Sequence, residues 1–74
     1  MKTFYEFEQE IKSKIKTRPS WSRRGQFVFN YIDEHYGVAR DVQFLDNIDC
    51  FHDDEKIDAF IVASYLRLFK QNEE

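Results

Sequence analysis

The fold depends on the segment Arg23-Arg24-Gly25-Gln26-Phe27-Val28-Phe29-Asn30 and on a second segment, Asp49-Cys50-Phe51-His52-Asp53-Asp54, which leads into Ile57 and Phe60. Both segments combine large apolar residues with polar residues of particular types. Neither contains a known catalytic arrangement. We therefore interpret them as the two halves of one packed and hydrogen-bonded unit.

The first segment belongs to a predicted helix over about residues 21–36, capped by Ser20 or Ser22 and ended by Gly37. Apolar positions recur along it at helical spacing: Trp21, Gly25, Val28, Phe29, Ile32 and Tyr36. A glycine inside a helix costs about 1 kcal/mol relative to alanine. The compensation that we predict is close approach of another backbone at Gly25.

Two further helices are predicted, over about residues 3–17 and 53–70. Thr3 and Glu6 have the spacing of a capping box, and Pro19 disfavours helix at the residue before it. Asp53 or Asp54 caps the last helix. Each helix has an apolar stripe: Phe4, Phe7, Ile11 and Ile15 in the first, and Ile57, Phe60, Ile61, Ser64 and Leu68 in the last.

Residues 38–51 fit two structures. A short helix would turn Val38, Val42 and Leu45 inward, whereas a hairpin would reverse at Asp46-Asn47. We favour the short helix, because two isolated three-residue strands are marginal in water. The chain of 74 residues, with only two Gly and one Pro, is thus predicted to be a single all-α domain, with a core over 3–70 and a frayed tail at 71–74.

The composition limits the cellular compartment and the kinds of site that we expect. Cys50 is the only cysteine, so neither an internal disulfide nor a multi-cysteine zinc site can form. The first residues reach Glu6 without an apolar signal segment, and no stretch has the roughly 20 apolar residues that span a bilayer. We expect a cytoplasmic protein with no membrane contact and no cofactor.

The paired motifs resemble those of a set of short, uncharacterised bacterial and phage-borne proteins. The pattern covers about residues 21–60, and its positions are Arg23, Gly25, Gln26, Phe29 and Asn30, then Asp49, Phe51, Asp53, Asp54, Ile57 and Phe60. This chain departs from it at Cys50 and His52, where the pattern often has Pro and Tyr. The resemblance implies a compact helical domain and no particular reaction.

Three polar arrangements have structural explanations that we prefer. Arg23, Gln26 and Asn30 share a helical face, where Gln26 and Asn30 are predicted to bond the 46–52 loop while Arg23 or Arg24 pairs with Asp49 or Asp53. The acids around His52 match no calcium or zinc motif and are interpreted as helix caps. Cys50 and His52 lie two residues apart without a third catalytic group. We predict that the protein is not an enzyme.

Charge is divided unevenly between the two parts of the chain. Residues 1–32 contain seven Lys and Arg against three Glu, a charge of +4, and residues 33–74 contain four against eleven acids, a charge of −7. The basic stretch supports an alternative function in nucleic-acid binding, with Trp21 available for stacking. Its residues are Lys12, Lys14, Lys16, Arg18, Arg23 and Arg24.

The last helix has more apolar surface than one neighbour can cover. Val62, Tyr65, Leu66 and Phe69 widen its stripe, and a small all-α protein gains stability by burying such residues against a second chain. Our leading prediction is a non-enzymatic protein-interaction module that self-associates, as a homodimer for example, through this helix.

Overall fold

The computed structural model describes residues 2–70 and confirms an all-α bundle. Helices α1 (Phe4–Ile15), α2 (Arg24–Tyr36) and α3 (Ala39–Leu45) are followed by a 3₁₀ turn (Asp54–Lys56), α4 (Ile57–Tyr65) and a π-helical turn (Leu66–Lys70). The region 38–51 is therefore a short helix and a loop, and no part of residues 2–70 forms a strand. The predicted tail at 71–74 lies outside the described residues.

Helix α1 begins as its sequence predicts. The Thr3 hydroxyl accepts the Glu6 N–H at 3.1 Å, and the Glu6 carboxylate accepts the Thr3 N–H at 2.9 Å, which completes the capping box. The helix ends at Ile15, two residues before the predicted boundary at Thr17. The Arg18 guanidinium donates to the carbonyl oxygens of Ile15 and Ser22, both at 3.0 Å, and so joins the end of α1 to the turn that follows.

Helix α2 begins at Arg24, three residues later than predicted, and neither Ser20 nor Ser22 caps it. The Ser22 N–H donates to the Pro19 carbonyl at 3.0 Å, so residues 19–22 form a turn and Trp21 lies outside the helix. Gly37 ends α2 in the predicted left-handed conformation, with φ of 75°.

One core position predicted in the region of helix α3, Leu45, is wrong. Val42 is buried and Val38 half-buried, but Leu45 is 70% exposed. Asn47 adopts a left-handed conformation with φ of 59°, which reverses the chain so that the Ile48 N–H donates to the Val42 carbonyl. Ile48, and not Leu45, then packs against the core.

The core lies between all four helices. Its fully buried aromatic and branched side chains are Phe7, Ile11, Val28, Ile32, Val42, Phe60 and Ile61. Helices α1 and α4 are neighbours that run antiparallel, because the Phe4 and Tyr65 rings are 5.5 Å apart at one end and Lys12 and Asp58 form a 3.5 Å ion pair at the other. No helix of residues 2–70 is long and apolar enough to cross a membrane.

A polar network joins α1 to α2. The hydroxyls of Tyr31 and Tyr36 donate to the Glu10 carboxylate at 2.6 Å and 2.8 Å, and Lys2 lies 3.4 Å from it. Burial alone would raise the pKa of Glu10, but these partners hold it below its ordinary value. Burial and the contact with Glu10 raise the pKa of Tyr36 to about 12.

Candidate interaction surfaces

The paired motifs meet at the start of α2. The Gly25 N–H donates to the Asp54 carboxylate at 2.9 Å, and the Cys50 thiol donates to the Gly25 carbonyl at 3.3 Å. Asp54 therefore caps α2 from a segment 29 residues away, in place of a local serine. A Cβ on Gly25 would overlap the Cys50 carbonyl oxygen, which explains the glycine by close backbone approach.

The predicted polar cluster of Arg23, Gln26, Asn30, Asp49 and Asp53 forms only in part. The Arg23 guanidinium reaches the loop, but it donates to the Phe51 carbonyl at 2.8 Å and pairs with neither predicted acid. Asp53 caps its own turn by accepting the Glu55 N–H. Within residues 2–70, the side chains of Gln26 and Asn30 make no hydrogen bond to the loop, and Asn30 is exposed, so that part of the prediction is wrong.

Asp49 organises the loop through a partner that sequence reasoning missed, Gln43. One carboxylate oxygen accepts from the Gln43 amide at 3.2 Å and from the Phe51 N–H at 3.0 Å. The other oxygen is 2.8 Å from the His52 ring, and this hydrogen bond, together with that from Gln43, lowers the pKa of Asp49. His52 is consequently held by Asp49 and not directed at Cys50.

Cys50 is unsuited to nucleophilic chemistry in this setting. The side chain is completely buried, and burial together with the charge of Asp49 raises the thiol pKa to about 12. The thiolate is the reactive form of cysteine, so its population at neutral pH is very small.

We expect folded protein at pH 7.5 to react with iodoacetamide at least about 100-fold more slowly than the same protein in urea, because Cys50 is both buried and protonated. Mass spectrometry of timed aliquots measures both rates. Alkylation of folded protein at the rate of the urea sample would show that Cys50 is an accessible thiol.

The basic stretch is partly committed to the fold. Lys12 pairs with Glu8 at 3.3 Å and with Asp58, while Arg18 and Arg23 bond backbone carbonyls. Lys14, Lys16 and Arg24 form no ion pair within residues 2–70, and Trp21 in the same stretch of sequence is 78% exposed. An open groove of about 630 Å³ between α1 and the turn before α4 also contains Asp54, Glu55 and Asp58, so its charge is mixed.

The predicted partner residues of the last helix divide into two pairs. Tyr65 is only 8% exposed and donates to the Lys2 carbonyl at 2.9 Å, and Phe69 is half-buried against the Phe7 and Tyr65 rings. These two side chains therefore belong to the core, contrary to the prediction. Val62 and Leu66 remain 43% and 49% exposed one helical turn apart.

An ion pair lies on each flank of Val62 and Leu66. On the α1 side, Lys12 is 3.5 Å from Asp58. On the α3 side, the Arg67 guanidinium donates two bonds to the Asp46 carboxylate, at 2.9 Å and 3.0 Å, and this raises the pKa of Arg67. We call the exposed residues Ala59, Val62 and Leu66 the α4 strip.

A second, smaller apolar surface lies beside α3. Phe29, Phe44 and Phe51 line an open groove of about 330 Å³ together with Arg40, Gln43 and His52. Phe44 is 74% exposed, and Phe51 packs edge-on against Phe29 with ring centroids 5.4 Å apart. The Asp49 hydrogen bonds position this wall of the groove, since they fix both Phe51 and His52.

The comparisons with known proteins found no matching family model, no similar curated protein and no similar solved structure. The geometry of these surfaces is therefore the basis for the functional argument.

Proposed function

We propose that the protein is a non-enzymatic interaction module that self-associates through the α4 strip. The observation that carries this proposal is the exposure of Val62 and Leu66 on a helix whose opposite side fills the core. Two large apolar side chains on consecutive turns form a continuous surface, which a facing helix covers well. The surrounding charges supply the polar rim that is typical of interfaces.

The other parts of the chain favour binding over chemistry. Cys50 is buried and protonated, and Asp49, His52 and Asp54 are occupied in holding the loop and the start of α2. A single unpaired cysteine fits a reducing compartment, so we place this module in the cytoplasm. Nucleic-acid binding remains the alternative, supported by the exposed Trp21 and by Lys14, Lys16 and Arg24 in the same stretch of sequence.

Replacing Leu66 with Asp should weaken self-association by about 100-fold, because it places a carboxylate where the partner's apolar surface must be desolvated. Light scattering coupled to size exclusion, over a concentration series, measures the mass of wild type and variant. We expect wild type to approach twice the monomer mass and the variant to remain a monomer.

Phe44→Asp is the matched control, because Phe44 is also an exposed apolar residue on a helix but lies outside the α4 strip. We expect this variant to associate like wild type. A wild type that stays monomeric at all concentrations would contradict the proposal, and so would equal masses for wild type and Leu66→Asp.

A further inference from the structure

The charges beside the α4 strip have a regular arrangement. Asp58 in α4 and Arg67 in the π-helical turn that continues α4 are nine residues apart. At about 3.6 residues per turn this is roughly half a turn around the axis and roughly 13 Å along it. Their intramolecular partners agree with this placement, since Lys12 belongs to α1 and Asp46 follows α3. The two ion pairs thus lie on opposite flanks and at opposite ends of the strip.

Val62 lies almost midway between Asp58 and Arg67 along the sequence. Consider a two-fold axis that passes through Val62, lies in the interface and is perpendicular to the line joining the two ion pairs. This axis places each ion pair of one copy opposite the other ion pair of the second copy. Isologous interfaces require this kind of self-complementarity, in which one residue meets a different residue of the partner and the contact occurs twice.

We infer that two copies of this chain pair across the α4 strip, with the Lys12–Asp58 pair of each copy opposite the Asp46–Arg67 pair of the other. This inference rests on the proposed self-association and adds its geometry. Asp58 then faces Arg67 of the second copy, and Lys12 faces Asp46. The helices cross obliquely, because the line between the ion pairs runs diagonally across the strip.

Two charge reversals test this pairing. In Asp58→Arg alone, the introduced arginine of each copy would face Arg67 of the other copy. In Arg67→Asp alone, the introduced aspartate would face Asp58. Both homodimers contain two repulsive contacts, and we expect their dissociation constants to exceed that of wild type by at least about tenfold. In the heterodimer of the two variants, the introduced arginine of one copy faces the introduced aspartate of the other. The native Arg67 of the first copy still faces the native Asp58 of the second, so both contacts are attractive.

Native mass spectrometry of a 1:1 mixture, with one variant labelled with ¹⁵N, distinguishes the heterodimer from both homodimers. We expect the heterodimer to dominate well beyond the statistical half, with a dissociation constant within about threefold of wild type. Circular dichroism checks that each variant is folded. We expect both to be folded, because each replaces one surface ion pair with one like-charge contact.

The control mixture is Glu34→Arg with Arg40→Asp, two exposed charges away from the strip, which we expect to give the statistical distribution. If wild type forms dimers but the Asp58 and Arg67 variants also mix statistically, the pairing is wrong and self-association stands. If wild type forms no dimer, both proposals fail.

Discussion

Gly25→Ala should remove most of the protein's stability at room temperature. An alanine Cβ would overlap the Cys50 carbonyl oxygen and lie 2.8 Å from Oδ1 of Asp54. Neither atom can retreat freely, because the first is backbone and the second accepts the Gly25 N–H. Forced overpacking typically costs about 1–3 kcal/mol, and we expect about 3 kcal/mol here. A domain this small has roughly 3–5 kcal/mol of net stability to lose.

The direction of the change in stability distinguishes close backbone packing at Gly25 from helix propensity. Helix propensity alone favours alanine over glycine by about 1 kcal/mol, so a site without the close approach would become more stable. Urea unfolding monitored by circular dichroism gives the free energy directly. Gly37→Ala is the control: a Cβ there meets no atom within 4 Å, but φ is 75°, so we expect a loss of only about 1 kcal/mol. A stable Gly25→Ala variant would disprove the packing of the loop on α2.

Helix-level features were predictable because their causes are local. The capping box of Thr3 and Glu6 and the left-handed Gly37 depend on residues within one turn of each other. The anomaly of a glycine inside a helix also identified the closest contact between distant segments, since only another backbone accounts for it.

The polar side chains that bond the loop were harder to predict. Gln26 and Asn30 share a face with Arg23 by spacing, but periodicity does not say which face the loop covers. The loop lies over Gly25 and Phe29, and one residue further along a helix turns a side chain by about 100°. Gln26 and Asn30 therefore point away from the loop.

Hydrogen bonds between side chains that are far apart in the sequence cannot be predicted from residue spacing. Spacing alone pairs Glu10 with Lys14, four residues further along the same helix. The partners of Glu10 are the hydroxyls of Tyr31 and Tyr36, 21 and 26 residues away. The capping of α2 by Asp54 was missed for the same reason, because the approach of the two segments determines which acid reaches the Gly25 N–H.

Glu10→Ala should cost about 3 kcal/mol at pH 7, because it leaves two partly buried tyrosine hydroxyls without their charged acceptor. Hydrogen bonds to charged groups contribute about 1.5–3 kcal/mol each, and the Glu10 side chain is 24% exposed, so the lower part of that range applies. Urea unfolding of wild type and variant at pH 7 measures the difference. Glu34→Ala, at a carboxylate that is 81% exposed, should change stability by less than about 0.5 kcal/mol.

The stability difference between wild type and Glu10→Ala should decrease as the pH falls. The folded pKa of Glu10 is lowered, so its carboxylate stabilises the fold fully above the ordinary glutamate pKa of about 4.3. That stabilisation is lost as pH falls through the lower, folded value. The stability difference between wild type and Glu10→Ala should therefore become smaller in acid. A gap that stays constant from about pH 7 to about pH 2 would mean that Glu10 contributes by packing its methylene groups, and that the two tyrosines do not depend on its charge.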